Sequence, residues 1–251
     1  MVVTAFDARK LTIRKYSSYN IRKLDYLSHC SRRKNIILFS NPKAAGSTLK
    51  RLLQLIETDG DENRIPENVH DKERSPLCGF LELGDSFQNI FESDKYFRFC
   101  FVRNPYTRIL SCYLDKIRGR NRARYLSKLG VDGKRELTLT EFLQLLQSRR
   151  NLYKNPHWAP QSYLIRPDTI RYSFIGRFEH LHEHLRALTG RLGCEHFMER
   201  MSGISVTHHR TGAGERVKKF IGPEEVRLIR EIYDLDFTFF AYPRDPELCH
   251  V

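Results

Sequence analysis

The sequence predicts an α/β fold built on a mainly parallel sheet. Ile36-Ile37-Leu38-Phe39 is a short unbroken apolar run, the pattern of a strand buried on both faces. A turn of small residues follows, Ser40 to Thr48. Then Leu49, Leu52, Leu53 and Ile56 recur at the i, i+3, i+4, i+7 spacing of an amphipathic helix. The strand–turn–helix order repeats from Lys95 to Ile117, and a third strand from Ile170 leads into another helix.

The 251 residues suffice for one domain with a substantial core. No linker or repeat divides them, so a single domain over 1–251 is expected, with 1–34 as an irregular lead-in and 35–243 as the core. The net charge of +13 implies an anionic partner: a multiply charged cofactor, an acidic polymer, phospholipid or nucleic acid. There is no apolar run of about 18 residues for a transmembrane helix, and residues 1–16 lack the apolar core of a signal peptide. The six cysteines (Cys30, Cys78, Cys100, Cys112, Cys194, Cys249) form no CxxC pair, which argues against zinc and for reduced thiols in a cytoplasmic protein.

Taken in order, the helix after the first strand ends near Glu57, and 58–75 reads as a polar surface loop containing Val69-His70-Asp71. Residues 79–95 fit one helix. Phe97 to Val102 alternates as a strand does and stops at Pro105, and Ile109, Leu110, Tyr113 and Ile117 then mark a helix. Residues 116–135 carry eight Lys/Arg against Asp132 alone; they read as a solvated excursion or as a groove wall for an acidic substrate. Thr138 and Glu141 form a capping box ahead of Phe142, Leu145 and Leu146. After the loop Asn155 to Gln161 comes the strand Ile170–Phe178, then a helix with Leu181, Leu185, Leu188 and Leu192. His180 and His184 share a face of that helix without a carboxylate partner, a surface pattern rather than a metal site. A polar loop, His208 to Gly214, precedes a helix opened by Gly222-Pro223-Glu224-Glu225. The aromatic end Asp236 to Pro243 should pack on the core.

Two segments carry the chemistry. A strand, a small-residue loop and a helix start present free backbone N–H groups to an anion. Here Lys43 precedes Gly46, whereas a Walker A loop places its Lys after the last Gly. No strand ending in Asp offers Mg²⁺ a ligand, which disfavours a P-loop kinase. In the second segment Arg103 closes a strand, and Ser111 lies eight residues on. The planar fork of Arg and a Ser hydroxyl suit phosphate oxygens. Two anion sites at strand C-termini point to a nucleotide-type ligand charged at both ends. A nucleic-acid-binding module, the other alternative, explains the charge but not the paired sites.

Pro42-Lys43-Ala44-Ala45-Gly46-Ser47-Thr48 resembles the 5′-phosphosulfate loop of sulfotransferases, and Phe101 to Tyr113 resembles their 3′-phosphate motif. The nearest likeness is to the carbohydrate sulfotransferases related to the chondroitin 4-O and HNK-1 enzymes. It extends through His157-Trp158-Ala159-Pro160, Phe174-Ile175-Gly176-Arg177-Phe178-Glu179 and Ile232 to Phe237. The resemblance implies a P-loop-like, three-layer fold with a central sheet flanked by helices. It implies 3′-phosphoadenosine 5′-phosphosulfate as donor, no metal, and a carbohydrate acceptor, with acidic glycans and glycolipids as candidates and no nucleic acid. Lys43 would neutralise the leaving oxygen, and Ala44, Ala45, Gly46, Ser47 and Thr48 would hold the 5′ end. Arg103 and Ser111 would hold the 3′-phosphate. His70 is the expected general base, with His157 and Glu82 as alternatives. Without a membrane anchor, a soluble, bacterial-type cytoplasmic member is expected.

Overall fold

The computed structural model describes residues 15–17, 20–202 and 212–249; the part of the predicted lead-in before 15 and most of the His208–Gly214 loop lie outside them. The chain groups into two compact units, each assembled from several stretches: Met1–Asn41, Ala45–Phe101 and Tyr163–Ser205 in one, Pro42–Ala44, Val102–Ser162 and Val206–Val251 in the other.

The first unit holds the sheet. Its four strands are β1 (Ser28–Ser31), β2 (Ile36–Phe39), β3 (Phe97–Val102) and β4 (Phe174–Arg177), in that spatial order. β2 pairs in parallel with β3, Ile36 opposite Phe97, and in antiparallel with β1, Ser28 opposite Phe39. The α/β class is therefore the one expected. Ile36 to Phe39 are all buried, as is the Leu49, Leu52, Leu53, Leu55, Ile56 face of the Gly46–Thr58 helix. That helix packs on β1 and β2, and the Leu181–Arg191 helix packs on β4.

Several expectations need correction. The lead-in is not irregular up to 34: a helix, Ile21–Leu27, runs into β1. Ser28-His29-Cys30-Ser31 lacks an apolar pattern, and its pairing with β2 makes it a strand. The helix expected over 79–95 splits into a 3₁₀ turn, Phe80–Leu83, and a helix, Phe87–Phe91, because Gly84 takes a left-handed φ of 67° and Ser86 caps the second piece. The strand expected from Ile170 is only Phe174–Arg177. Within it Gly176 has a steric reason: a Cβ there would lie 2.4 Å from the Phe101 ring.

The second unit is helical. The Leu139–Gln147 helix starts at the Thr138/Glu141 capping box, though Leu143 rather than Leu145 joins Phe142 and Leu146 in the core. It packs against the Pro223–Ile232 helix, whose start at Gly222-Pro223 is as expected. Trp158 is wholly buried against Phe142 in an edge-on contact at 5.9 Å. The basic stretch 116–135 is not a bare excursion: it forms a helix, Arg122–Lys128, anchored by buried Tyr125 and Leu126. At the aromatic end the short Asp234–Phe239 helix buries Phe237, while Phe240 and Tyr242 beyond it are buried too and Phe239 stays exposed.

Candidate active site

In the sheet-bearing unit, the Gly46–Thr58 helix begins at Ala45 with no side-chain cap. Its first amide groups therefore point outward with no intrahelical acceptor. Lys43 and Ala45 hold φ values of 73° and 59°. Left-handed backbone at non-glycine residues costs about 1–3 kcal/mol each and gathers at ligand sites. Alternating hand along such a loop gathers its N–H groups into an anion-binding concavity. The start of the loop is tied down, since Asn41 Nδ2 donates to the Phe101 carbonyl at 2.9 Å.

His70 belongs to this unit and touches the helix start. Its Nε2 lies 2.9 Å from Ser47 Oγ, and its Nδ1 lies 3.2 Å from Lys50 Nζ. The loop is held in shape by Asn68, whose Oδ1 accepts the His70 amide, and by Asp71, whose Oδ1 accepts the amides of Glu73 and Arg74. Burial, and then the charge of Lys72, brings the Lys50 ammonium down to about 8. Burial likewise holds buried His29 well below the usual imidazole range, with Lys50, Lys72 and His70 adding to it. Glu82 stands apart from His70: it pairs with Arg32 and accepts the Gly79 amide on an exposed 3₁₀ turn.

In the helical unit, Lys43 Nζ donates to Asp115 Oδ2 at 2.8 Å, and Lys116 Nζ reaches the same oxygen at 3.0 Å. Burial pushes the Asp115 carboxyl up, but the two lysines outweigh it and leave it below the usual range. Asp115 and Lys116 ride on a π-helical turn, Tyr113–Ile117, closed by the Arg118 amide donating to the Tyr113 carbonyl at 2.9 Å. Such turns often mark functional sites.

Arg103 is buried, and its guanidinium donates to the Lys43 carbonyl at 3.2 Å and to Thr107 Oγ1 at 3.0 Å. Its main chain is gripped by the Gln161 amide group, which accepts from Arg103 N and donates to Arg103 O. Gln161 is fixed in turn, because Asp236 accepts its backbone N–H at 2.8 Å and that of Ser162 at 2.7 Å. Arg108, fully buried, donates to the carbonyls of Pro42, Pro156 and Ala159. Ser111 is buried on the Pro105–Cys112 helix. His157 is half-buried, its Nδ1 2.7 Å from Asn155 Oδ1; burial, then Lys116 and Lys43, brings it down to about 3.

Among the predicted residues, then, Ser47 meets His70, and Arg103 meets the Lys43 carbonyl. Lys50, Asp115 and Gln161 support these residues without being marked by the motifs, and Arg108 and Asp236 lie inside the segments Phe101 to Tyr113 and Ile232 to Phe237 without a role read for them there. Two of them left a trace in the sequence. Lys50 is three residues after Ser47, hence on the same helix face, and Asp115 is the only acid between Lys95 and Asp132. Among the described residues no group of three or more His, Cys, Asp and Glu could hold a metal ion, and no helix is long and apolar enough to cross a membrane.

A family model described as "Sulfotransferase family" matches residues 29–243. Carbohydrate sulfotransferase 14 of Danio rerio is 28% identical over 222 residues, covering 80% of this chain and 58% of that protein. The Homo sapiens protein of that name is 28% identical over 224 residues, covering 80% and 56%. Carbohydrate sulfotransferase 10 of Danio rerio is 25% identical over 264 residues, covering 93% and 69%. The chain thus spans less than two thirds of the length of the carbohydrate sulfotransferase 14 relatives. No solved structure matches the chain significantly.

Proposed function

The chain belongs to the sulfotransferase family, and from that membership we propose that it acts as a single domain moving the sulfuryl group of 3′-phosphoadenosine 5′-phosphosulfate to a hydroxyl of a carbohydrate acceptor. The observation that carries the reading is the uncapped start of the Gly46–Thr58 helix behind a loop with Lys43 and Ala45 in left-handed backbone. Outward amides and a lysine fit an anionic donor. Buried Arg103 and Ser111 suit a second phosphate.

In this reading the amides of Ala44 to Thr48, with the Ser47 and Thr48 hydroxyls, hold the 5′ end of the donor, and Arg103 and Ser111 hold its 3′-phosphate. The donor supplies an activated sulfuryl group. Lys43 offsets the charge that develops on the leaving oxygen, and His70 takes the proton of the acceptor hydroxyl. Gln161 and Asp236 keep Arg103 in place, a role that matters because in-line group transfer depends on positioning. Carbohydrate enters as the acceptor class because the matched relatives carry it in their names. Acidic glycans and glycolipids are the acceptors to screen first, given the basic residues from Lys116 to Arg135.

Calorimetry with 3′-phosphoadenosine 5′-phosphate, ATP and an oligonucleotide tests the donor assignment. Tight binding of the bisphosphate nucleotide alone is expected. Binding of ATP without the bisphosphate would overturn it. A screen of sugars with labelled sulfate donor then identifies the acceptor.

A further inference from the structure

The ring of His70 is held at both nitrogens, and one of its partners is a lysine whose charge is easily lost. Ser47 and Lys50 present Oγ and Nζ from one face of the Gly46–Thr58 helix, and His70 lies between them, 2.9 Å from the first and 3.2 Å from the second. An ammonium can only donate. While Lys50 is charged, His70 Nδ1 must therefore be the acceptor, and the ring proton sits on Nε2, directed at Ser47 Oγ. In that tautomer Nε2 has no lone pair with which to take a proton. A neutral Lys50 amine has a lone pair as well as N–H groups, so it admits the other tautomer: it can accept from Nδ1–H, and in that form Nε2 is a base.

We propose that Lys50 is a positioning residue that sets the tautomer of His70, so that His70 acts as a base only while Lys50 is uncharged. The inference rests on the reading of His70 as the general base. The acceptor's hydroxyl proton passes to Nε2, the Nδ1 proton passes to the Lys50 amine, and Lys50 ends as an ammonium that later releases the proton to solvent. No atom or electron is left over, and no co-reactant is needed.

The surroundings favour easy loss of the Lys50 charge. The groups that face it are cationic or imidazole: Lys72, His29 and His70. Burial brings Lys50 to about 8, so a useful fraction is uncharged just above neutrality. Lys72 is itself turned toward Tyr26, donating to its carbonyl at 3.1 Å and lying 4.2 Å over its ring. His29 is buried, and burial keeps it neutral.

Nitrogen-15 spectra of the histidine rings in the full, unliganded chain test the coupling, recorded from about pH 7 to about pH 10. In the wild type His70 should pass from the Nε2–H form to the Nδ1–H form as pH rises through about 8. Lys50→Arg, which stays charged, should hold the Nε2–H form throughout, and Lys50→Met should abolish the transition. Turnover should rise with pH on the same limb in the wild type and lose that limb in Lys50→Met. A wild-type ring that keeps one tautomer over the whole range overturns the inference, as does a Lys50→Met ring that still switches. The wild-type titration decides even if the variants fold poorly. Because the ring is read without donor or acceptor, a ring that switches in a protein that transfers no sulfuryl group would support the coupling and overturn only the functional reading.

Discussion

His70 is exposed and has its ring nitrogens against Ser47 and Lys50, whereas His157 is half-buried with Nδ1 against Asn155. Both sit on loops, and the sequence offers both as general bases, His70 ahead of His157. Their surroundings separate them. Burial and two nearby lysines bring His157 to about 3 and keep it neutral across the working range. His70 shares its hydrogen bonds with a helix start and with a lysine that burial brings down to about 8. A neutral imidazole that never changes charge is well suited to holding a loop. One that trades protons with a neighbour is suited to moving them.

The largest effect should come where neither histidine can compensate. Lys43→Ala should lower kcat by about 1,000-fold or more in a protein that still shows a cooperative thermal transition; near-normal turnover would remove Lys43 from the mechanism. His70→Ala should cost about 100- to 1,000-fold in turnover while calorimetry gives the same Kd for 3′-phosphoadenosine 5′-phosphate. If His157→Gln instead loses turnover at wild-type stability, the two roles are exchanged. Arg103→Ala should weaken that nucleotide by about 2–5 kcal/mol if its charge pair is desolvated, and an unchanged Kd would contradict its assignment.

The smallest effect concerns stability and pH. His157 is held at about 3 in the fold, against an ordinary value of 6.5. The unfolded chain therefore binds a proton that the folded one refuses between these values. The contribution of neutral His157 is fully present above about 6.5 and is lost as pH falls through the window toward about 3. Discounted for its partial exposure, it amounts to something on the order of 2 kcal/mol. Urea denaturation of His157→Gln should accordingly show a flatter dependence on pH across that window than the wild type. Equal slopes would mean that the ring is solvated and that the contrast with His70 fails.

What the sequence made legible was local. The run Ile36–Phe39, the stripe from Leu49 to Ile56 and the Thr138/Glu141 box each announce their structure within a dozen residues, because strand burial, helix period and capping are short-range rules. β1 escaped because Ser28-His29-Cys30-Ser31 is made a strand only by its partner. Arg98 escaped for a related reason. Its alternation within β3 suggests an outward face, yet it is buried and donates to the carbonyls of Ile90, Ser93 and Arg171. Lys43, Ser47 and Arg103 were found by motif. The residues that position them lie far off along the chain: the Lys43 bond to Asp115 spans 72 residues, that of Gln161 to Arg103 spans 58, and that of Asp236 to Gln161 spans 75. Pairings of that range are set by tertiary packing, which no local pattern records.

Lys43 apart, the loop between β2 and the Gly46–Thr58 helix is written in backbone rather than in side chains. Its offered donors are amides, and every residue except proline has one. An alanine scan across 44–48 would pass over the cradle almost in silence, registering only the Ser47 and Thr48 hydroxyls. What would reach it is a change of shape: a proline at Gly46 or Ser47, or one residue inserted after Lys43. Tolerance to substitution and importance to function are thus uncoupled in this stretch, and a substitution map of the protein would be most misleading at the place where the proposed donor site begins.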